Sequence, residues 1–534
     1  MITFRDHHSG DLFDPWEHLG AQRRRLLDRS WAGVFREHLL RHLPVSELAP
    51  HFHATQGRPT KDIHVVLGAL ILQQLHDLTD EQTVEALAFH ITWHSALDLR
   101  DETDAYVCER TLRNYRRIVV EQQLDETLFR TLTEQLIQSF DVDTSKQRLD
   151  STAVRSAIRG LTRLGILVET VSKFLRELKR IFPSLYAQVD EDVIRSYLER
   201  KGEGSFGDTR PSQSRRRLPE AARDVYELIE QFRHTEAKDL ESFALLQRVF
   251  EEQCELSPDA EEAIRIREPQ EGDCDGVLNP ADPDASYNKK HGIGYRVQVM
   301  ETFTEDAPEG EEEEPSKPDL ITHVAVGEMT IHDQSALEPA IDDVSERGIK
   351  PKALLGDTHY GSEDCMKKGK DHDVEVIAPA TPAKGKQKDR LTLEDFELDE
   401  QGRVLRCPEG HEPIETRVAP IRLQVLFDAE TCQGCPHWER CCASTETRKQ
   451  PRYQYTQDRV RLRRRRLYNA TDGFHEQYRW RAGVEATMSR LKHQMGMARL
   501  RVRGMTKVRY VTFLRALGLN VRRVAAHQAA VQLN

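Results

Sequence analysis

At 534 residues the chain is too long for one core, and 38% hydrophobic with 31% charged residues fits a soluble, highly charged globular protein of roughly two to four structural units. The net charge of −12 argues against a nucleic-acid partner, yet its distribution reverses that impression: Thr445 to Asn534 holds 21 Lys and Arg against 5 Asp and Glu, including the block Arg461-Leu462-Arg463-Arg464-Arg465-Arg466. Such asymmetry points to a nucleic-acid-binding C-terminal part, while the acidic run Glu311–Glu314 reads as a solvated surface. The opening MITFRDHHSG lacks a basic-then-apolar signal, and the longest apolar run, Val65–Leu72, is far too short to span a bilayer. A cytoplasmic protein without membrane contact is expected.

In chain order, residues 20 to about 140 read as helices. Apolar residues at 63, 66, 67, 70, 71, 75 and 78 have the three-and-four spacing of a buried helical face, and Thr79-Asp80-Glu81 caps a second helix. A short basic helix follows in CERTLRNYRRIVVEQ, with Arg113, Arg116 and Arg117, completing a helix, turn and basic helix suited to docking on DNA. KQRLDSTAVRS (146–156) reads as a short strand ending at Asp150. Residues 160–265 return to charged helices, interrupted by a loop at 201–217. Tyr295–Met300 and Ile321–Met329 then form a strand pair joined by the acidic, Pro-containing loop. A helix at about 334–347 follows, then a buried strand Ala353-Leu354-Leu355 with Asp357 at its tip, and a further strand within 373–380.

Nine cysteines in so long a chain do not make a disulfide scaffold, and Cys108, Cys254, Cys274 and Cys365 read as scattered, inert thiols. The other five crowd between 407 and 442. Cys407, Cys432, Cys435 and Cys441 have the spacing C-x24-C-x2-C-x5-C, in which a CxxC knuckle with Gly434 inside supplies two thiolates from one turn. Cys442 is the alternative fourth ligand, with His411 and His437 in reserve. Four protein ligands leave no open position, so the expected ion is a structural zinc.

Phosphoryl transfer on DNA commonly uses two divalent ions about 3.5–4 Å apart, and these hard cations take carboxylate oxygens. Asp150 and Asp357 each fall at or near the end of a predicted strand. Glu485 is the third candidate. On a continuous helix, Tyr478, Arg481, Glu485 and Lys492 share an arc of about 60°, beside an apolar stripe of Trp480, Val484, Met488, Leu491 and Met495. Arg481 and Lys492 suit phosphates, Glu485 suits a metal ion, and Tyr478 can stack on or hydrogen-bond to substrate.

The row Tyr-x2-Arg-x3-Glu-x6-Lys at Tyr478, Arg481, Glu485 and Lys492 resembles the C-terminal motif of the DDE transposases of bacterial insertion sequences. RLDSTAVRS around Asp150 and LLGDTHYGSED around Asp357 resemble that family's two aspartate segments, DPDASYNKKHGIGYRVQV (282–299) its approach to the second strand, and LHDLTDEQTVEAL its N-terminal domain. The resemblance touches most of the chain from about 50 to 505. It implies an α/β fold: a ribonuclease-H-like mixed-sheet catalytic core (141–160 and 280–400, completed by a basic part at 446–534), a helical N-terminal DNA-binding domain (1–140), a helical insertion (161–279) and a cysteine-rich zinc-binding insertion (401–445).

It further implies Mg²⁺- or Mn²⁺-dependent cleavage and strand transfer at the ends of an insertion sequence, with two ions held by Asp150, Asp357 and Glu485. Asp143 is the alternative to Asp150. The partners are double-stranded DNA, as terminal repeats and as target, and a second copy of the chain on DNA. Arg113, Arg116, Arg117, Arg463, Arg464, Arg465, Arg501 and Arg503 are the expected phosphate contacts. Two other readings share these residues: a metal-dependent nuclease that cuts without joining, and a non-catalytic, zinc-stabilised DNA-binding regulator.

Overall fold

Capping side chains start the first two predicted helices where the apolar spacing puts them. The Asp62 carboxylate accepts from the His64 amide at the start of α1 (Ile63–Leu75), and Thr79 with Gln82 forms a reciprocal capping box at α2 (Asp80–Phe89). Every residue of α1 is buried, so this helix is a core element apolar on all sides rather than an amphipathic surface helix. α3 (Glu109–Glu121) and α4 (Leu124–Ser139) complete this helical part. The computed structural model describes residues 5, 7, 16–53, 56–57, 59–99, 105–199, 204–209, 211–256, 264–268, 276–305, 316–381, 390–419, 421–443 and 450–531. Glu311–Glu314, Cys274 and part of the loop at 201–217 lie outside the described residues.

The central sheet is mixed and has six strands. β1 (Lys146–Arg155) is its middle, paired antiparallel with β3 (Gly292–Thr302) and parallel with β5 (Ala353–Leu355). On the far side of β3 lie β2 (Ser286–Asn288) and β4 (Ile321–Glu328), both antiparallel to it, while β6 (Glu375–Ile377) runs parallel to β5 at the other edge. The two predicted strands around the acidic loop are therefore neighbours, and the predicted helix after them is α8 (Leu337–Glu346). β1 differs from the sequence reading: it continues five residues past Asp150, which sits within the strand rather than at its end. The ladder to β3 holds it open to Arg155 paired with Gly294.

α11, the last long helix (Met505–Val531), binds the sheet to the N-terminal helices. It packs on α1, α4 and β4, and the Asn520 side chain bonds both the N–H and the C=O of Ile321. One apolar cluster consequently runs from Trp16 through the sheet to Val524, so the N-terminal helices share the core of the sheet instead of closing one of their own. Residues 161–277 do build a second core, in which Phe174 of α5 (Arg163–Ile181) meets Phe232 of α6 (Ser214–Phe232) and Phe243 of α7 (Glu241–Gln253). A third, small core gathers Phe396, Leu423, Val425, Tyr453 and Tyr455 beside the cysteines. Among the described residues no helix is long and apolar enough to cross a membrane.

Candidate active site

The parallel strands β1 and β5 run toward the same end of the sheet. Their last registered pair is Arg148 opposite Leu355; beyond it β1 carries Asp150, while Asp357 follows the end of β5 and acts on the Asp150 carboxyl. Asp357 leaves the sheet by capping the turn Thr358–Tyr360, its Oδ1 accepting from the His359 amide at 2.8 Å. Asp143, the alternative first aspartate, is exposed before β1 and accepts from the Ser145 amide at 2.8 Å, which makes it a turn residue.

Glu485 arrives on a helix less regular than its spacing predicts. The helix Asp472–Tyr478 gives way to a 3₁₀ turn at Arg479–Ala482, resumes as α10 (Gly483–Ser489) and widens into a π turn at Arg490–Gln494. The 3₁₀ turn is tighter and the π turn wider than the α-helix, and the row still converges. Arg481 donates from Nη1 to Glu485 Oε1 and from Nη2 to Asp150 Oδ2, both at 2.7 Å. Its guanidinium therefore bridges a largely buried carboxylate, 14% exposed, and an open one, 67% exposed. Val484, Met488, Leu491 and Met495 are buried as the apolar stripe requires, whereas Trp480 is half-buried and stacks on Phe303.

The charges around this bridge identify its members. Burial pushes the Asp150 carboxyl from 3.8 up to about 6, Arg481 and the Ser151 amide pull it back, and Asp357 and Asp333 push it further up. Tyr478 is raised by burial and by Asp357, Asp150 and Glu485, against Arg481. Lys492 is lowered by burial and by Arg155, against Asp150. Each of the six residues of the predicted constellation thus acts on at least one other member. The structure adds Asp333, which the sequence gave no reason to select: its Oδ1 accepts from Arg296 at 2.7 Å, and the same guanidinium donates to Ser151 next to Asp150. Only the pairing of β1 with β3 places Arg296 there. A dense set of partly desolvated carboxylates beside fixed cations suits a divalent ion, whose charge relieves the repulsion that lifts Asp150.

The expected phosphate grips fare differently. Arg116 of α3 is turned inward, donating to Gln73 Oε1 at 2.9 Å and to Asp80. The arginine block lies on α9 (Gln457–Asn469), where Arg463 donates to the Phe396 carbonyl at 3.0 Å, Arg464 to the Glu400 carbonyl, and Arg465 to the carbonyls of Gly361 and Ala378 at 3.1 and 3.3 Å. Arg116, Arg463 and Arg465 are thus engaged in bonds that tie the fold together. The α9 row clamps the loop after Asp357 to the cysteine-rich part. Arg113 and Arg117 pair with Glu109 and Glu121 on the exposed face of α3, and Arg501 and Arg503 are exposed while touching Asp77 and the Ala157 carbonyl.

Cys407, Cys432, Cys435 and Cys441 line one cavity with His411 and His437. Burial, followed by the neighbouring Cys441, Cys435 and Cys407, pushes the Cys432 thiol up to about 11, the mutual repulsion a soft cation would relieve. Cys442, outside that lining, hydrogen-bonds with Cys441 and with Tyr453. A separate buried group, His7, Asp62 and His64, is explained by hydrogen bonding: His7 Nε2 lies 2.7 Å from Asp62 Oδ2, and Asp62 also accepts from the His64 amide.

Two family models match the chain. One, described as a transposase domain (DUF772), covers residues 24–117; the other, described as a transposase DDE domain, covers residues 406–525. No curated protein and no solved structure matches. The DDE match spans the helix that carries Arg481, Glu485 and Lys492, and the DUF772 match spans the helices packed beneath the sheet, so over these two stretches the chain is similar to transposase domains.

Proposed function

We propose that the chain cuts DNA at the ends of an insertion sequence and joins the freed ends to a target, using Asp150, Asp357 and Glu485 to hold divalent ions. The observation that carries this reading is the convergence of the three acids: Asp357, just past the end of β5, acts on the Asp150 carboxyl of β1, and Glu485 is joined to Asp150 through Arg481. The strand order β4-β3-β1-β5-β6, with an antiparallel hairpin on one side of β1 and parallel strands on the other, supports a ribonuclease-H-like core. Divalent ions, when bound, supply charge neutralisation at the attacking and leaving oxygens.

The chain's own residues supply the rest. Asp150 is fixed by β1 and Asp357 by the turn that it caps after β5, while Glu485, the most exposed of the three, closes the site from the helix side. Arg481 balances the acids before the ion and the phosphate arrive. Lys492 and Tyr478 border the acids where a scissile phosphate would lie. Paired element ends require two active sites, so a dimer on DNA belongs to this reading.

Incubation of the chain with labelled DNA carrying an element end, an unlabelled target duplex and Mg²⁺ tests it. Cleavage leaving a 3′-hydroxyl and a joined product are both expected, and Asp357→Asn abolishes both while retaining DNA. Cleavage that never leads to joining replaces the reading with a nuclease. Binding without cleavage replaces it with a regulator.

The four cavity-lining thiols suit a structural zinc, held by Cys407, Cys432, Cys435 and Cys441. One zinc per chain is expected by elemental analysis. Cys435→Ser is expected to lower it to a small fraction and to reduce the melting temperature, because the small core around Phe396 depends on that closure. Unchanged zinc content in Cys435→Ser contradicts the assignment.

A further inference from the structure

Glu301 of β3 is fully buried and plays no part in the reaction described above. A buried carboxylate is costly unless it is paired and hydrogen-bonded, and this one is saturated from three other elements. Its Oε1 accepts from Arg148 Nε at 2.7 Å; its Oε2 accepts from Arg523 Nη1 of α11 at 2.8 Å and from the Thr487 hydroxyl of α10 at 2.6 Å. Arg523 also donates to the Thr487 hydroxyl.

The partners stand at telling positions. Arg148 is the direct cross-strand neighbour of Glu301 and lies two residues before Asp150. Thr487 lies two residues after Glu485 on α10. Arg148 reaches the helix a second time, donating from Nη1 to the Trp480 carbonyl at 2.8 Å, in the turn that bears Arg481. Gly483 leaves room for this: a Cβ there would run into the Arg148 guanidinium.

We propose that Glu301 is a positioning residue that locks the Glu485 helix to the Asp150 strand through Thr487, Arg523 and Arg148, and so sets the separation at which the two carboxylates share a cation. The proposal rests on the reading of Asp150 and Glu485 as cation ligands. Packing alone would fix α10 against the sheet through Val484 and Met488, but apolar contacts tolerate small slides. Directional bonds to one buried carboxylate fix both its height and its rotation. Outer-shell bonds of this kind orient ligands, and their loss lowers metal affinity about tenfold or more.

The test uses the full chain and Mn²⁺ as probe, followed by electron paramagnetic resonance, with thermal melting alongside. Native chain and Glu485→Gln are compared first: loss of tight Mn²⁺ binding in the Gln chain supports the site itself. Thr487→Val keeps the branched shape and removes the hydroxyl, while Thr487→Ser keeps the hydroxyl. About tenfold weaker Mn²⁺ binding is expected in the Val chain, with native affinity in the Ser chain. If the Val chain does not fold, Arg523→Lys, which keeps the charge and loses the fork, carries the same expectation. Native Mn²⁺ affinity in a folded Val or Lys chain, even with a lower melting temperature, marks a merely structural tie and overturns the proposal. So does a Ser chain that falls as far as the Val chain. Native and Glu485→Gln chains that bind Mn²⁺ alike overturn the underlying site, and the proposal with it.

Discussion

An Asp150→Asn chain is expected to lose cleavage and, without divalent ions above pH 6, to melt at a higher temperature than the native protein. The carboxyl of Asp150 is pushed from 3.8 to about 6, by burial before all else, so the folded state holds its charged form at a cost. That cost is on the order of 3 kcal/mol, from the usual conversion of pKa into free energy. Because the folded pKa lies above the unfolded one, the native chain is not penalised below pH 4. The penalty grows between pH 4 and pH 6 and is complete above it. The advantage of the Asn chain should follow that window, absent in acid and full at neutral pH. Adding Mg²⁺ should reverse the order, since an ion bound only by the folded native chain adds stability that the Asn chain cannot gain. Calorimetry across pH, with and without Mg²⁺, measures both halves. Equal melting temperatures of the two chains at both pH 4 and pH 8 would show that the Asp150 charge carries no penalty in the folded state, contrary to its surroundings.

The same residue explains where the sequence was legible and where it was not. Aspartate is depleted in strands, so a strand reaching Asp150 seemed to end there; nothing local reveals that β3 pairs onward to Arg155 and carries the chain past it. Ala353–Leu355 was readable to the residue, because a short apolar run between turn signals leaves few alternatives. The spacing of Tyr478, Arg481, Glu485 and Lys492 named residues that the structure brings close to Asp150, although the helix under them is broken by a 3₁₀ and a π turn. Members of the arginine block also donate to carbonyls far away in sequence, at Gly361, Ala378 and Phe396, a role that no local pattern reveals. Asp333 and Glu301 were invisible for the same reason: each matters only through a strand or helix brought to it by the sheet. Cysteine spacing needed no such context, because the CxxC turn is local and the cavity closes around the residues that it named.

Glu485→Gln removes the third acid with little other change, because the side chain is 67% exposed and makes its one described ion pair with Arg481. The folded chain, its melting temperature and its hold on DNA should therefore survive. Activity should not: the loss of ion-held charge at the reacting oxygens is worth several kcal/mol, which corresponds to about 10³-fold or more in rate. The most direct measurement is the single-turnover rate of Mg²⁺-dependent cleavage of a labelled element end, with native and Glu485→Gln chains at matched DNA occupancy. The account predicts equal binding and a fall of about 10³-fold or more in cleavage, with joining lost as well. Cleavage by the Gln chain at the native rate would contradict the three-carboxylate site.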